Sequence, residues 1–95
     1  MHKYEAMFII KPTLSEEERN ILFNQISDAI VKNGGAISKS AIWSEKRKLY
    51  FTIKKFQEGV YYLVNFNIAP AAIVKIGQAY KINENILRVL TLAIK

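Results

Sequence analysis

Lys3-Tyr4-Glu5-Ala6-Met7-Phe8-Ile9-Ile10 halts at Lys11-Pro12, and just beyond it Ser15-Glu16-Glu17-Glu18 opens a different pattern. The first run is short, aromatic and apolar at both parities, which reads as a central β-strand buried on both faces. The second is a helix start. Ser15 can accept from the backbone N–H three residues on, and the Glu18 side chain can reach back to close a capping box. The glutamates also complement the positive end of the helix dipole. Leu22, Ile26, Ala29 and Ile30 continue at helical spacing, and Gly34-Gly35 supplies the stop.

Further along, Ala36 to Trp43 reads as a weaker strand with Ile37, Ala41 and Trp43 on one parity, and residues 36 to 55 fit one long, bulged strand. Leu49-Tyr50-Phe51-Thr52-Ile53 and Val60-Tyr61-Tyr62-Leu63-Val64-Asn65-Phe66 flank Phe56-Gln57-Glu58-Gly59, predicting a hairpin that turns at Gly59. Pro70 can begin a second helix without losing a needed N–H, followed by Ile73, Ile76, Gly77 and Tyr80. Gly77 is either a propensity cost or a point of close helix–sheet approach. Ile86 to Ile94 reads as a last strand. The order is β-α-β-β-α-β over residues 1–95, an α+β ferredoxin-like domain: a four-stranded antiparallel sheet with two helices packed on one face.

Two helices leave one sheet face uncovered, so strand parity sorts the side chains. Ala6, Phe8, Ile10, Val64, Phe66, Ile68, Leu87, Val89 and Thr91 are expected under the helices. Glu5, Met7, Ile9, Tyr61, Leu63, Asn65, Asn67, Arg88, Leu90 and Leu92 are expected on the open face. Half of that set is polar, yet the apolar members exceed what water alone favours and form a candidate protein interface. Scattered apolar side chains on an open face are also ordinary. Arg88 needs a carboxylate, a phosphate or solvent there, and Glu5 is the candidate intramolecular partner.

The whole chain has 95 residues, a formal net charge of +6, 51% hydrophobic residues and no cysteine. That composition excludes disorder and low-complexity scaffolds, disulfide frameworks and thiol chemistry. The charge points to a polyanion, either nucleic acid or an anionic membrane. No stretch approaches the ~18 uncharged apolar residues of a spanning helix, and the first helix opens on three glutamates rather than a basic face, so a membrane is disfavoured. The N-terminus lacks a signal-peptide pattern, and a cytoplasmic location is the expectation. Lys46-Arg47-Lys48 and Lys54-Lys55 place five cations and no acid between residues 46 and 55. They read either as phosphate contacts on a hairpin arm or as lysines guarding a strand edge. His2-Lys3 and Lys81 with Arg88 add smaller basic spots.

An enzyme finds little here: one His, no Cys, no phosphate-binding glycine loop and serines without a base. No metal or cofactor is expected. Gly59 to Phe66 lacks the basic start and paired small residues of an RNA-recognition motif, and Lys11-Pro12-Thr13 is not the phosphate loop of an acylphosphatase-like hydrolase. A self-associating or small-ligand regulatory module on the same topology stays open as the alternative.

Taken in order, these segments resemble the bacterial small-subunit ribosomal protein six family over nearly the whole chain. The carriers are Tyr4-Glu5 and the strand closing at Pro12, the capped helix ending in Gly34-Gly35, Trp43 leading to Lys46-Arg47-Lys48-Leu49 and Ile53-Lys54-Lys55, Tyr61-Tyr62 to Asn65-Phe66 and Pro70, and Lys81-Ile82-Asn83-Glu84-Asn85-Ile86-Leu87-Arg88. Two departures are Ser44-Glu45 after Trp43, where the family has glycine, and Leu49-Tyr50-Phe51-Thr52-Ile53 in place of Leu-Ala-Tyr-Pro-Ile. The resemblance implies a non-catalytic ribosomal protein that pairs with small-subunit protein eighteen. It also implies binding to the central domain of 16S ribosomal RNA, beside the site of protein fifteen. Tyr4, Lys81 and Arg88 fall at positions associated with that surface. The candidate RNA contacts are thus His2, Lys3, Lys46, Arg47, Lys48, Lys54, Lys55, Lys81 and Arg88. The candidate partner face is Tyr4, Met7, Ile9, Tyr61, Leu63, Leu90 and Leu92.

Overall fold

The structure is a computed structural model that describes residues 2–53 and 56–94, with side chains described outside 44–53 and Gln57. The chain runs β1 (His2–Ile10), α1 (Glu16–Lys32), β2 (Ala36–Ile53), β3 (Phe56–Ile68), α2 (Pro70–Lys81) and β4 (Ile86–Ile94). The strands form one sheet in the order β2-β3-β1-β4, every neighbouring pair antiparallel. This is the expected ferredoxin-like arrangement, with β1 and β3 central and β2 and β4 as edges.

Local chemistry explains where α1 starts and stops. The Glu18 amide donates to Ser15 Oγ at 3.1 Å and the Ser15 amide donates to Glu18 Oε1 at 3.0 Å, completing the capping box. Accepting from the Ser15 amide, with the Ser15 hydroxyl as a further contribution, favours the ionised carboxylate, so Glu18 titrates below the usual glutamate range. At the far end the Gly34 amide reaches the Val31 carbonyl at 3.1 Å and the Gly35 amide reaches the Ile30 carbonyl at 2.9 Å. Those two bonds are a Schellman motif, and Gly34 takes the left-handed φ of 85° that it requires. Gly35 is fixed by space instead. A Cβ there would sit 2.6 Å from Ile30 Cγ2 and 2.9 Å from the Asn67 carbonyl oxygen.

The core lies between the helices and one face of the sheet. Leu22, Ile26 and Ile30 of α1 and Ile76 and Tyr80 of α2 close over Ala6, Phe8, Ile10, Val60, Tyr62, Val64, Phe66 and Ile68. Phe23 stacks on Tyr62 with ring centroids 3.9 Å apart, and Tyr80 meets Phe8 edge-on at 4.9 Å. The even parity expected under the helices in β1 and β3 is the buried one.

Four expectations change. First, a bulge between Ile9 and Ile10 sets Ile9 opposite Arg88 and Ile10 opposite Ile86, leaving Leu87 as the extra residue. Leu87 therefore turns away from the helices and packs with Ile9, Phe56 and Tyr61 on the open side. Beyond it Val89 is half-buried against the core, but Thr91 is exposed. Second, β2 shifts register between Ile37 and Lys39. Ile37 joins the core while the Trp43 ring lies tilted against Tyr61 on the open side, so the parity shared by Ile37 and Trp43 in sequence is not shared in space. Third, Ile53 pairs with Phe56 and Gly59 lies inside β3 opposite Arg47, so the chain does not turn at Gly59. Fourth, a Cβ on Gly77 would meet nothing within 4 Å, which removes the close-approach role. Gly77→Ala should then stabilise the fold by about 0.5–1 kcal/mol through helix propensity alone. Urea unfolding would show it as a higher midpoint at unchanged slope.

Candidate protein and nucleic-acid interface

Register across the sheet organises the open face into rows. In the strand order β2, β3, β1, β4 they read Lys39–Asn65–Glu5–Leu92, Ala41–Leu63–Met7–Leu90 and Ser44–Tyr61–Ile9–Arg88. The middle row is wholly apolar. Along the β4 edge Leu90, Leu92 and Ile94 are 48%, 66% and 41% exposed, and Trp43 at 53% continues the surface on the β2 side. Trp43 and Tyr61 hold their rings 5.7 Å apart. Met7, Ile9, Tyr61, Leu63, Leu90 and Leu92 thus share one continuous surface.

Tyr4 does not share it. As an even residue of β1 it lies on the helix side, with its ring stacked on Phe66 at 5.8 Å and packed against the main core. Arg88 and Glu5 also part. Arg88 sits opposite Ile9 and Glu5 opposite Leu92, four residues apart along β1, or ~13 Å. Glu5 is therefore not the partner of Arg88, and the exposed guanidinium is left to solvent or an incoming anion.

The basic residues divide between the two ends of the sheet. His2 and Lys3, both exposed, pair with Ile68 and Asn67 at one end. Arg88 stands at the other, ~20 Å away along β1. Lys81 ends α2, and the turn that follows is held by the Asn85 amide donating to Asn83 Oδ1 at 3.0 Å and the Ile86 amide donating to the Asn83 carbonyl at 3.1 Å. The Lys11 amide donates to the Asn85 carbonyl at 3.1 Å, which fastens the end of β1 to this turn. Lys11 thereby joins Lys81 and Arg88, with its ammonium 6.0 Å from the Phe56 ring centroid. The sequence reading missed Lys11 because it stood as a strand terminator beside Pro12. Its place follows from a backbone bond to a residue far along the chain. The backbone of Arg47 and Lys48 lies opposite Gly59 and Glu58, at this same end. The side chains of Lys46, Arg47 and Lys48 lie outside those described, and Lys54 and Lys55 lie outside the described residues.

An apolar open face bordered at one end by cations suits two partners of different chemistry. The family model of ribosomal protein S6 matches residues 3–93. The chain belongs to the ribosomal protein S6 family. It is 42% identical over 90 residues to the small ribosomal subunit protein bS6 of Thermoanaerobacter pseudethanolicus, spanning 95% of this chain and 94% of that protein. It is 38% identical over 89 residues to the bS6 protein of Chlamydia felis, spanning 94% and 79%. The crystal structure of 30S ribosomal protein S6 from Thermotoga maritima superposes with a TM-score of 0.89 at 32% identity, covering 98% of this chain and 87% of that one. This S6 chain is therefore a protein of the small ribosomal subunit, in a family of structural proteins rather than enzymes. None of the described helices is long and apolar enough to cross a membrane.

Proposed function

We propose that this S6 chain is a non-catalytic assembly protein that binds the central domain of 16S ribosomal RNA and pairs with small-subunit protein eighteen, next to the site of protein fifteen. The observation that carries the reading is the open sheet face, with Leu90, Leu92 and Ile94 exposed on an edge strand beside an apolar row. Apolar surface of this kind is covered by protein rather than by phosphate. RNA belongs at the adjoining end, which carries Lys11, the end of α2 at Lys81 and Arg88, with the backbone of Arg47 and Lys48 in register there. His2 and Lys3 form a separate, smaller contact at the opposite end.

The test is a salt titration of RNA binding. Affinity for central-domain RNA should fall with salt at a log–log slope of about −0.9 for each neutralised phosphate on duplex-like backbone. Arg88→Ala should make the slope shallower by about one unit. Because Arg88 is exposed, the substitution should leave the unfolding midpoint in place. An unchanged slope and affinity would remove Arg88 from the RNA site.

A further inference from the structure

Glu5 and Asn65 stand directly opposite each other on β1 and β3, on the open side of the sheet. Side chains so opposed are about 4.5–5.5 Å apart at Cβ, so a carboxylate and an amide share one small area. Their next row is Leu63 and Met7, and Leu92 lies on the other side of Glu5. Lys3 and Lys39 border the same area, yet Glu5 makes no ion pair among the described residues. Asn65 carries a second unmet group. Its Oδ1 is buried without a hydrogen-bond partner, while its main-chain carbonyl accepts from the Ser38 hydroxyl at 3.1 Å. A buried acceptor without a donor lowers stability, so a structure that retains one has a donor to gain elsewhere. The residue as a whole is half-buried, on a strand position that faces the open side, so its side chain borders the docking surface.

We infer that Glu5 and Asn65 form an acceptor pair for a basic side chain of the protein that docks on this face. The inference rests on the proposed pairing with protein eighteen and names what that partner must present. Arginine fits best, because its planar fork donates to two oxygens at once and tolerates partial burial. The recess beside Asn65, bordered by Lys3, Ser38, Asn67 and Ile94, gives the aliphatic stem a place to lie. A phosphate is the wrong occupant, since it would meet the Glu5 carboxylate. Charge complementarity points the same way. In a chain of net charge +6, Glu5 is the acid among the described residues of the open face, and its carboxylate offers a partner's cation a direct contact even with Lys3 and Lys39 nearby.

The experiment titrates purified small-subunit protein eighteen into the full chain by calorimetry at low and moderate salt. Glu5→Gln should weaken binding about 10- to 100-fold, the range for a hydrogen bond to a charged group, and flatten its salt dependence. Asn65→Leu should weaken binding at least about tenfold while raising the melting temperature of the free protein, because an unmet acceptor is replaced by an apolar group of similar shape. That opposition of signs separates the proposal from a structural role, in which lost binding would track lost stability. Central-domain RNA alone should bind Glu5→Gln as well as or better than the parent chain. If both variants bind protein eighteen like the parent, the acceptor pair is overturned and the docking face stands. If Glu5→Gln weakens RNA binding instead, the pair is also overturned. If the parent chain does not bind protein eighteen at all, the proposed pairing falls and the acceptor pair with it.

Discussion

Truncating Tyr80 to alanine should cost this domain about 3–5 kcal/mol, the range for deleting a buried aromatic ring, and leave it partly unfolded at moderate temperature. Tyr80 joins α2 to α1 and to the sheet at once. Its ring meets Phe8 edge-on at 4.9 Å, and its hydroxyl donates to the Ile26 carbonyl at 2.7 Å. Tyr80→Phe isolates the second contact. It keeps the ring, leaves Ile26 without that donor, and should cost only about 1 kcal/mol. The pH dependence then distinguishes them further. Burial, with Tyr62 nearby as a smaller contribution, pushes the Tyr80 hydroxyl well above its ordinary value of 10.0. An unfolded tyrosine loses its proton near that ordinary value while the folded one retains it. The Tyr80 contribution is therefore fully present below about pH 10 and is lost as the pH climbs toward the folded value. Urea midpoints measured from pH 7 to pH 11 should show the parent chain ahead of Tyr80→Phe at neutrality, with the gap closing above pH 10. Parallel curves across that range would show that the hydroxyl is not held in the core.

The elements that sequence reading locates best are those whose signals are local. Ser15 and Glu18 cap a helix through groups three residues apart, and Gly34-Gly35 ends it through bonds back to Val31 and Ile30. Alternation in β1 and β3 likewise finds the buried face, because no bulge interrupts the pairing of those two strands. Edge strands behave differently. Between Ile9 and Ile10 a single register shift moves Leu87 from the helix side to the open side, and the shift between Ile37 and Lys39 separates Ile37 from Trp43. Period-2 reasoning assumes an unbroken ladder, and a bulge is a property of two strands together. The same holds for charge. Arg88 and Glu5 are near each other by parity, but only the register shows their rows four residues apart along β1. Lys11 enters the basic end through a bond to Asn85 that no local pattern announces.

Those bulges are also what make the open face a usable surface. Leu87 adds its side chain to Ile9, Phe56 and Tyr61, so the apolar area is continuous from the centre of the sheet to the β4 edge. Leu90 and Leu92 then stand out on that edge, on the sheet face opposite the helices. Replacing both with glutamine should reduce binding of small-subunit protein eighteen by at least about 100-fold. Each leucine is worth about 1.5–3 kcal/mol if the partner buries it, and every 1.4 kcal/mol is tenfold. Glutamine is the right choice because Leu90 lies only two residues from Arg88, ~7 Å along the strand. A carboxylate there would repel phosphate and mix the two sites. With a neutral replacement, the salt slope of RNA binding should stay as in the parent. Stability should change by less than about 0.5 kcal/mol, since both side chains already face water. Size-exclusion chromatography of the RNA-free parent chain completes the comparison. A monomer that loses partner binding in the double variant is the expected result. A dimer that the double variant dissociates would instead assign the same leucines to self-association, the behaviour of a regulatory module rather than of a ribosomal partner.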